Sequence, residues 1–112
     1  MQRLSLTPDE RQIVQSILQD IIPDKTVWVI GSRMTAKHKP YSDLDLLIIG
    51  DEGLPPAAAA DLRCAFSESD LPFKVDLVLW SALNNNFKQI FEQNHVVIQS
   101  ASVNQLTTDK LV

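Results

Sequence analysis

Three aspartates stand out because of the residues around them. Asp43 and Asp45 bracket Leu44 at the head of an apolar run, Asp43-Leu44-Asp45-Leu46-Leu47-Ile48-Ile49, and Asp76 interrupts another, Val75-Asp76-Leu77-Val78-Leu79. Strand side chains alternate between faces, so Asp43 and Asp45 share one face while Leu44 and Leu46 take the other. Two carboxylates side by side repel unless a cation lies between them, and an ionised carboxylate in an apolar strand is costly to bury unpaired. If the strand of Asp76 lies beside that of Asp45, three carboxylates converge, an oxygen-rich arrangement suited to a hard divalent cation such as Mg²⁺. Taken singly the signals are weaker: Asp-x-Asp also opens turns, and a lone aspartate suits the outward side of an edge strand.

A second group lies just upstream. Gly31-Ser32-Arg33 follows the β-branched and aromatic run Thr26-Val27-Trp28-Val29-Ile30. A glycine between a strand and a helix lets a ligand approach the backbone, and the free N–H groups there favour an anion. Ser32 adds a hydroxyl and Arg33 a guanidinium suited to phosphate oxygens, although Gly-Ser after a strand is often only a turn. Lys37, His38 and Lys39 form a basic loop tip, either solvated or screening a phosphate chain. His38 is a poor Mg²⁺ ligand, because that ion takes oxygen donors.

The elements that must position these residues follow from periodicity. Thr7-Pro8-Asp9-Glu10 is a helix start with a capping box, and Ile13, Val14, Ile17, Leu18 and Ile21 recur at helical spacing up to Pro23. The opposite face, with Arg11, Gln12, Gln15 and Gln19, reads as solvated. Strands are expected over 26–30 and 44–49, joined through a short helix over 32–37 and a loop at Pro40. Pro55-Pro56 and four alanines open a helix to about Ser69, with Leu62, Ala65 and Phe66 toward the core. Residues 74–80 read as a third strand. A last helix is capped by Ser81 and carries Leu83, Phe87, Ile90 and Phe91. Val96-Val97-Ile98 is a short strand or turn, and residues 101–112 read as a loose tail. The order predicts one α/β domain over 1–112, a small mixed sheet flanked by helices.

Bulk properties narrow the chemistry. The chain has 112 residues, 10 Lys and Arg against 14 Asp and Glu, and a formal net charge of −4. Affinity for nucleic acid is dominated by phosphate neutralisation, so direct nucleic-acid binding is not expected of this surface. Cys64 is the single cysteine; it implies no disulfide framework, and its alanine-rich setting suggests a buried structural thiol. No run reaches membrane-spanning length and the N-terminus lacks a signal-like apolar core, so a cytoplasmic setting is expected.

Jointly, the strand, Gly-Ser, short helix, Asp-x-Asp strand, helix and Asp strand resemble the nucleotidyltransferase superfamily related to DNA polymerase β. More narrowly they are similar to the minimal nucleotidyltransferases, MNT proteins that act as antitoxins beside HEPN partners. The signature reads Ile30-Gly31-Ser32, residues 33–42, then Asp43-Leu44-Asp45-Leu46, with the third carboxylate at Asp76; the match spans 26–80. Such proteins commonly have a second glycine after Gly-Ser-Arg, where this chain has Met34-Thr35-Ala36-Lys37.

The resemblance implies the nucleotidyltransferase fold and transfer of AMP from ATP to a hydroxyl of a partner protein, with release of pyrophosphate. It also implies a pair of Mg²⁺ ions. Asp43 and Asp45 would hold both, and Asp76 would hold the one nearer the acceptor and help take its proton. Gly31 and Ser32 would hold the terminal phosphates, with Arg33 assisting. So small a domain needs a partner, either a HEPN-type helical toxin or a second copy. The end of the last helix and Val96-Val97-Ile98 are the contact surface if they are not core. Two other readings stay open: a non-catalytic antitoxin that masks its partner by binding alone, and a small-molecule nucleotidyltransferase of the aminoglycoside-modifying type.

Overall fold

The computed structural model describes residues 6–31 and 43–101. Along them run α1 (Pro8–Ile21), β1 (Val27–Ile30), β2 (Leu44–Ile48), α2 (Pro56–Ser67), β3 (Val75–Leu79), a 3-10 turn (Trp80–Ala82), α3 (Asn85–Gln93) and β4 (Val96–Gln99). The expected helix over 32–37, the basic loop tip and residues 102–112 lie outside the described residues.

The four strands form one sheet in the order β3-β2-β1-β4. β1 is antiparallel to both β2 and β4, whereas β2 and β3 are parallel. A parallel pair needs a crossover, and α2 supplies it. The sheet is therefore mixed, as the element order implies, with Val96–Gln99 a full strand on the edge opposite β3.

One sheet face carries the core. Val27, Val29, Leu44, Leu46 and Ile48 pack with Val14 and Leu18 of α1 and Leu62 and Phe66 of α2, all within one buried cluster. α1 starts as the sequence predicts: the Glu10 amide donates to the Thr7 hydroxyl at 3.1 Å and the Thr7 amide to Glu10 Oε1 at 3.0 Å. Gln15, expected on the solvated face, instead donates to the Ile98 carbonyl at 3.2 Å and ties α1 to β4. The buried Gln99 amide donates to the Ile22 and Lys25 carbonyls at 2.9 and 2.8 Å, satisfying backbone acceptors where α1 ends.

Several sequence readings change or resolve. α3 starts at Asn85 rather than after Ser81, because the Asn84 side chain caps it by accepting from the Phe87 amide at 2.9 Å. Its apolar residues are not core: no α3 residue is buried, and Phe87 and Ile90 are about half exposed at 48% and 49%. Strand alternation likewise divides the last run, burying Ile98 at 4% and exposing Val97 at 43%. Cys64 is exposed. α2 buries Leu62 and Phe66, one turn apart, and Cys64 lies about 200° round the helix from Leu62. The nearby Glu68 carboxylate, its Oε2 3.7 Å from the sulfur, pushes the thiol pKa up and makes a weak nucleophile of it. Among the described residues no helix is long and apolar enough to cross a membrane.

Leu46→Ala, at a position with no solvent exposure, is expected to cost about 2–5 kcal/mol of unfolding free energy in urea titrations. Cys64→Ala should stay within about 0.5 kcal/mol of the parent.

Candidate active site

β2 owes its rigidity to its apolar residues: Leu44, Leu46, Leu47 and Ile48 are all buried. The strand is a polar exception at Asp45, which faces away from the core. Asp45 pairs with Asp76 across the parallel β2–β3 ladder and with Ile30 across the antiparallel β1–β2 ladder. Paired residues share a sheet face and neighbouring strands lie about 4.8 Å apart, so the two carboxylates stand side by side. Asp43, exposed and immediately before β2, completes the row.

The electrostatics register this crowding. Burial pushes the Asp45 pKa up, and the charges of Asp76 and then Asp43 push it further in the same direction. Both neighbours thus act on Asp45, as expected for three anions along one face. Among the described residues no three acidic, imidazole or thiol groups are drawn together into a ready-made ligand set. The donor chemistry fits a hard divalent cation, since every candidate ligand is a carboxylate oxygen.

Gly31 ends β1 with φ +83°, in the left-handed region that favours glycine. A Cβ there would stand 2.6 Å from Asp45 Oδ2. The backbone angle is what calls for glycine; the second contact is with the free end of the Asp45 side chain, which any side chain at 31 would push aside. The C-terminal end of β1 and the N-terminal ends of β2 and β3 thereby make one site. Gly31, Asp43, Asp45 and Asp76 belong to it; Ser32 and Arg33 lie outside the described residues.

An aromatic group on the same face is not evident from sequence. Trp28, paired with Leu47 two residues beyond Asp45, stacks on His95 with ring centroids 3.6 Å apart and planes at 10°. Trp80 meets Trp28 edge-on at 5.7 Å, and the Lys88 ammonium lies 5.3 Å from the centre of the Trp80 ring. His95 Nδ1 lies 2.7 Å from the Phe91 carbonyl, which can only accept, so the proton sits on Nδ1. Only the strand register reveals that residues so distant in sequence adjoin the carboxylate row.

A raised carboxylate pKa means the folded state binds the Asp45 proton more readily than the unfolded chain does. The resulting destabilisation is absent below the ordinary carboxylate range and grows as pH rises through the raised value, so it is fully present at neutral pH. Asp45→Asn is therefore expected to raise the melting temperature of the metal-free protein at pH 7 and to flatten its fall between acidic and neutral pH. Gly31→Ala should lower stability by about 1–3 kcal/mol through backbone strain, and a second change, Asp45→Ala, should recover part of that loss by removing the collision.

The sequence model described as "Nucleotidyltransferase domain" matches residues 11–99. A Haemophilus influenzae (strain ATCC 51907 / DSM 11121 / KW20 / Rd) protein named "Probable protein adenylyltransferase MntA" is 48% identical over 97 residues, covering 87% of this chain and 85% of that one. The fold is shared with the crystal structure of "the toxin-antitoxin with AMP-PNP", at a TM-score of 0.66 and 20% identity over 84% of this chain and 76% of that one. It is shared also with a mutant of "the toxin-antitoxin MntA-HpeT", at a TM-score of 0.63 and 19% identity over 84% and 75%. With a domain match across most of its length and a curated relative nearly half identical, this chain belongs to the nucleotidyltransferase domain family.

Proposed function

We propose that this nucleotidyltransferase moves AMP from ATP to a hydroxyl on a partner protein, and that it serves in the cytoplasm as the antitoxin of a toxin–antitoxin pair whose toxin is a helical HEPN-type protein. The observation that carries the chemistry is the Asp45–Asp76 register beside Gly31. The name of the 48% identical relative supports the adenylyl group and the protein acceptor.

Asp43, Asp45 and Asp76 are the residues that would hold Mg²⁺. When bound, the ion draws charge from the phosphate oxygens and eases loss of the acceptor proton. Gly31 leaves room for the phosphate chain to approach the strand end, with Ser32 and Arg33 as its further ligands. Asp76, exposed at the edge of the row, takes the proton from the acceptor hydroxyl. The acceptor oxygen then bonds to the α-phosphorus as the bond from that phosphorus to the bridging oxygen breaks, and pyrophosphate leaves with the electron pair. A masking role, in which neutralisation needs contact alone, draws support from Phe87, Ile90 and Val97, large apolar side chains left at the surface.

With ATP labelled at the α-phosphate, Mg²⁺ and the protein encoded by the adjacent gene, label is expected on the partner and not on this chain. In the Asp43→Asn, Asp45→Asn double variant, transfer should fall by about 10³-fold. If that variant still neutralises the toxin in cells at parental potency, masking replaces catalysis as the antitoxin mechanism.

A further inference from the structure

β3 is the outer strand of the sheet, and among the described residues nothing pairs with its far side. The ladder fixes which of its amides are free. Leu44 donates to the Lys74 carbonyl at 2.8 Å, and in a parallel pair one residue directs both its N–H and C=O to the same neighbour. Lys74, Asp76 and Val78 therefore turn their peptide groups inward to β2, whereas Val75, Leu77 and Leu79 turn theirs outward. No hydrogen bond to another described residue reaches those outward groups. The strand contains no proline and no bulge, and Asp76 is its one charged residue.

A groove follows this edge. One cavity of about 590 Å³ is lined by Arg63, Phe66, Phe73, Lys74 and Asp76 among others. A second, of about 360 Å³, continues past Leu77, Val78 and Leu79, and Arg63 borders both. The described residues hold five cationic side chains against thirteen acidic ones, yet two of the five, Arg63 and Lys74, line the first cavity. Lys25 is spent on Glu52 at 3.1 Å, whereas Arg63 makes no ion pair with a described residue. A backbone edge beside a guanidinium that no described carboxylate neutralises is suited to an extended, acidic segment.

We propose that the acceptor protein docks by adding an extended segment that lies outside its helices as a fifth strand along β3. Main-chain hydrogen bonds to Val75, Leu77 and Leu79 would supply affinity, and pockets for alternate side chains the selectivity. The register dictates the sequence it takes. A residue opposite Asp76 lies on the carboxylate face, one strand spacing beyond Asp76 and two beyond Asp45; this is where the hydroxyl to be modified is presented. The residues on either side of it turn to the α2 face, where the one opposite Leu77 meets Arg63 and is Asp or Glu. Asp76 is thus the point where the acceptor groove meets the carboxylate row. The identity of the residue opposite Asp76 rests on the transfer reaction proposed above, while the docking itself does not.

The test uses the full-length chain and the protein encoded by the adjacent gene. Amide hydrogen exchange at Val75, Leu77 and Leu79 should slow by at least about tenfold when that protein is added at saturation, with Asp76 and Val78 changing little. Exchange there that is unaffected by the partner overturns the proposal, as does protection of the same amides by self-association before any partner is present. Arg63 is exposed on α2, so Arg63→Glu should fold normally; it should raise the acceptor KM about fivefold to tenfold, with the loss in KM rather than kcat. An unchanged acceptor KM in the folded variant overturns the assigned role of Arg63. Protection of the three amides without any label transfer supports the docking and sinks the transferase reading alone.

Discussion

The site depends on keeping like charges together. Asp45 carries a carboxylate between two others, and nothing in the local chemistry of the three aspartates favours that placement. The ladder imposes it. Each buried leucine or isoleucine of β2 contributes roughly 1.5–3 kcal/mol when it leaves water, and four of them anchor this five-residue strand. Repulsion between neighbouring carboxylates at the surface is about 1–4 kcal/mol. Burial of these residues outweighs that repulsion, so the register holds and the crowding persists.

The two edges of the sheet are treated differently. On the β4 side, Gln15 and Gln99 bond across to the strand and the helix end, so polar side chains fix that edge to α1. On the β3 side, the outward peptide groups meet a groove with cationic lining instead. α3 belongs to neither arrangement. It buries none of its own residues, and the aromatic contacts around Trp28, Trp80 and His95 run between the sheet and the segments flanking it. Helix packing thus secures one face of the sheet; the other, on which Leu47 is buried, carries the row of carboxylates.

Much of this was readable from residue order. Strand alternation alone places Asp45 and Leu46 on opposite faces, the Thr7–Glu10 capping pattern marks the start of α1, and Gly31 marks where the first strand ends, though not that the Asp45 carboxylate lies against it. What could not be read is which strand lies beside which. The convergence of Asp45 and Asp76 is conditional until pairing is known, because α2 intervenes and a crossover can deliver β3 to either neighbour. The same gap hid the Trp28–His95 stack and the free edge. Side-chain exposure failed for a different reason: Phe87, Ile90 and Cys64 have core-like chemistry, and only tertiary packing decides that the described residues leave them exposed.

Gly31 carries an evolutionary consequence. One missing carbon at that position makes room for an oxygen of Asp45, so a change at 31 is felt at 45 but not the reverse. A lineage that acquires a side chain at 31 meets backbone strain and must turn the Asp45 carboxylate aside, moving the charge at the centre of the row. Within this architecture residue 45 can therefore vary while 31 stays glycine, whereas variation at 31 disturbs both positions.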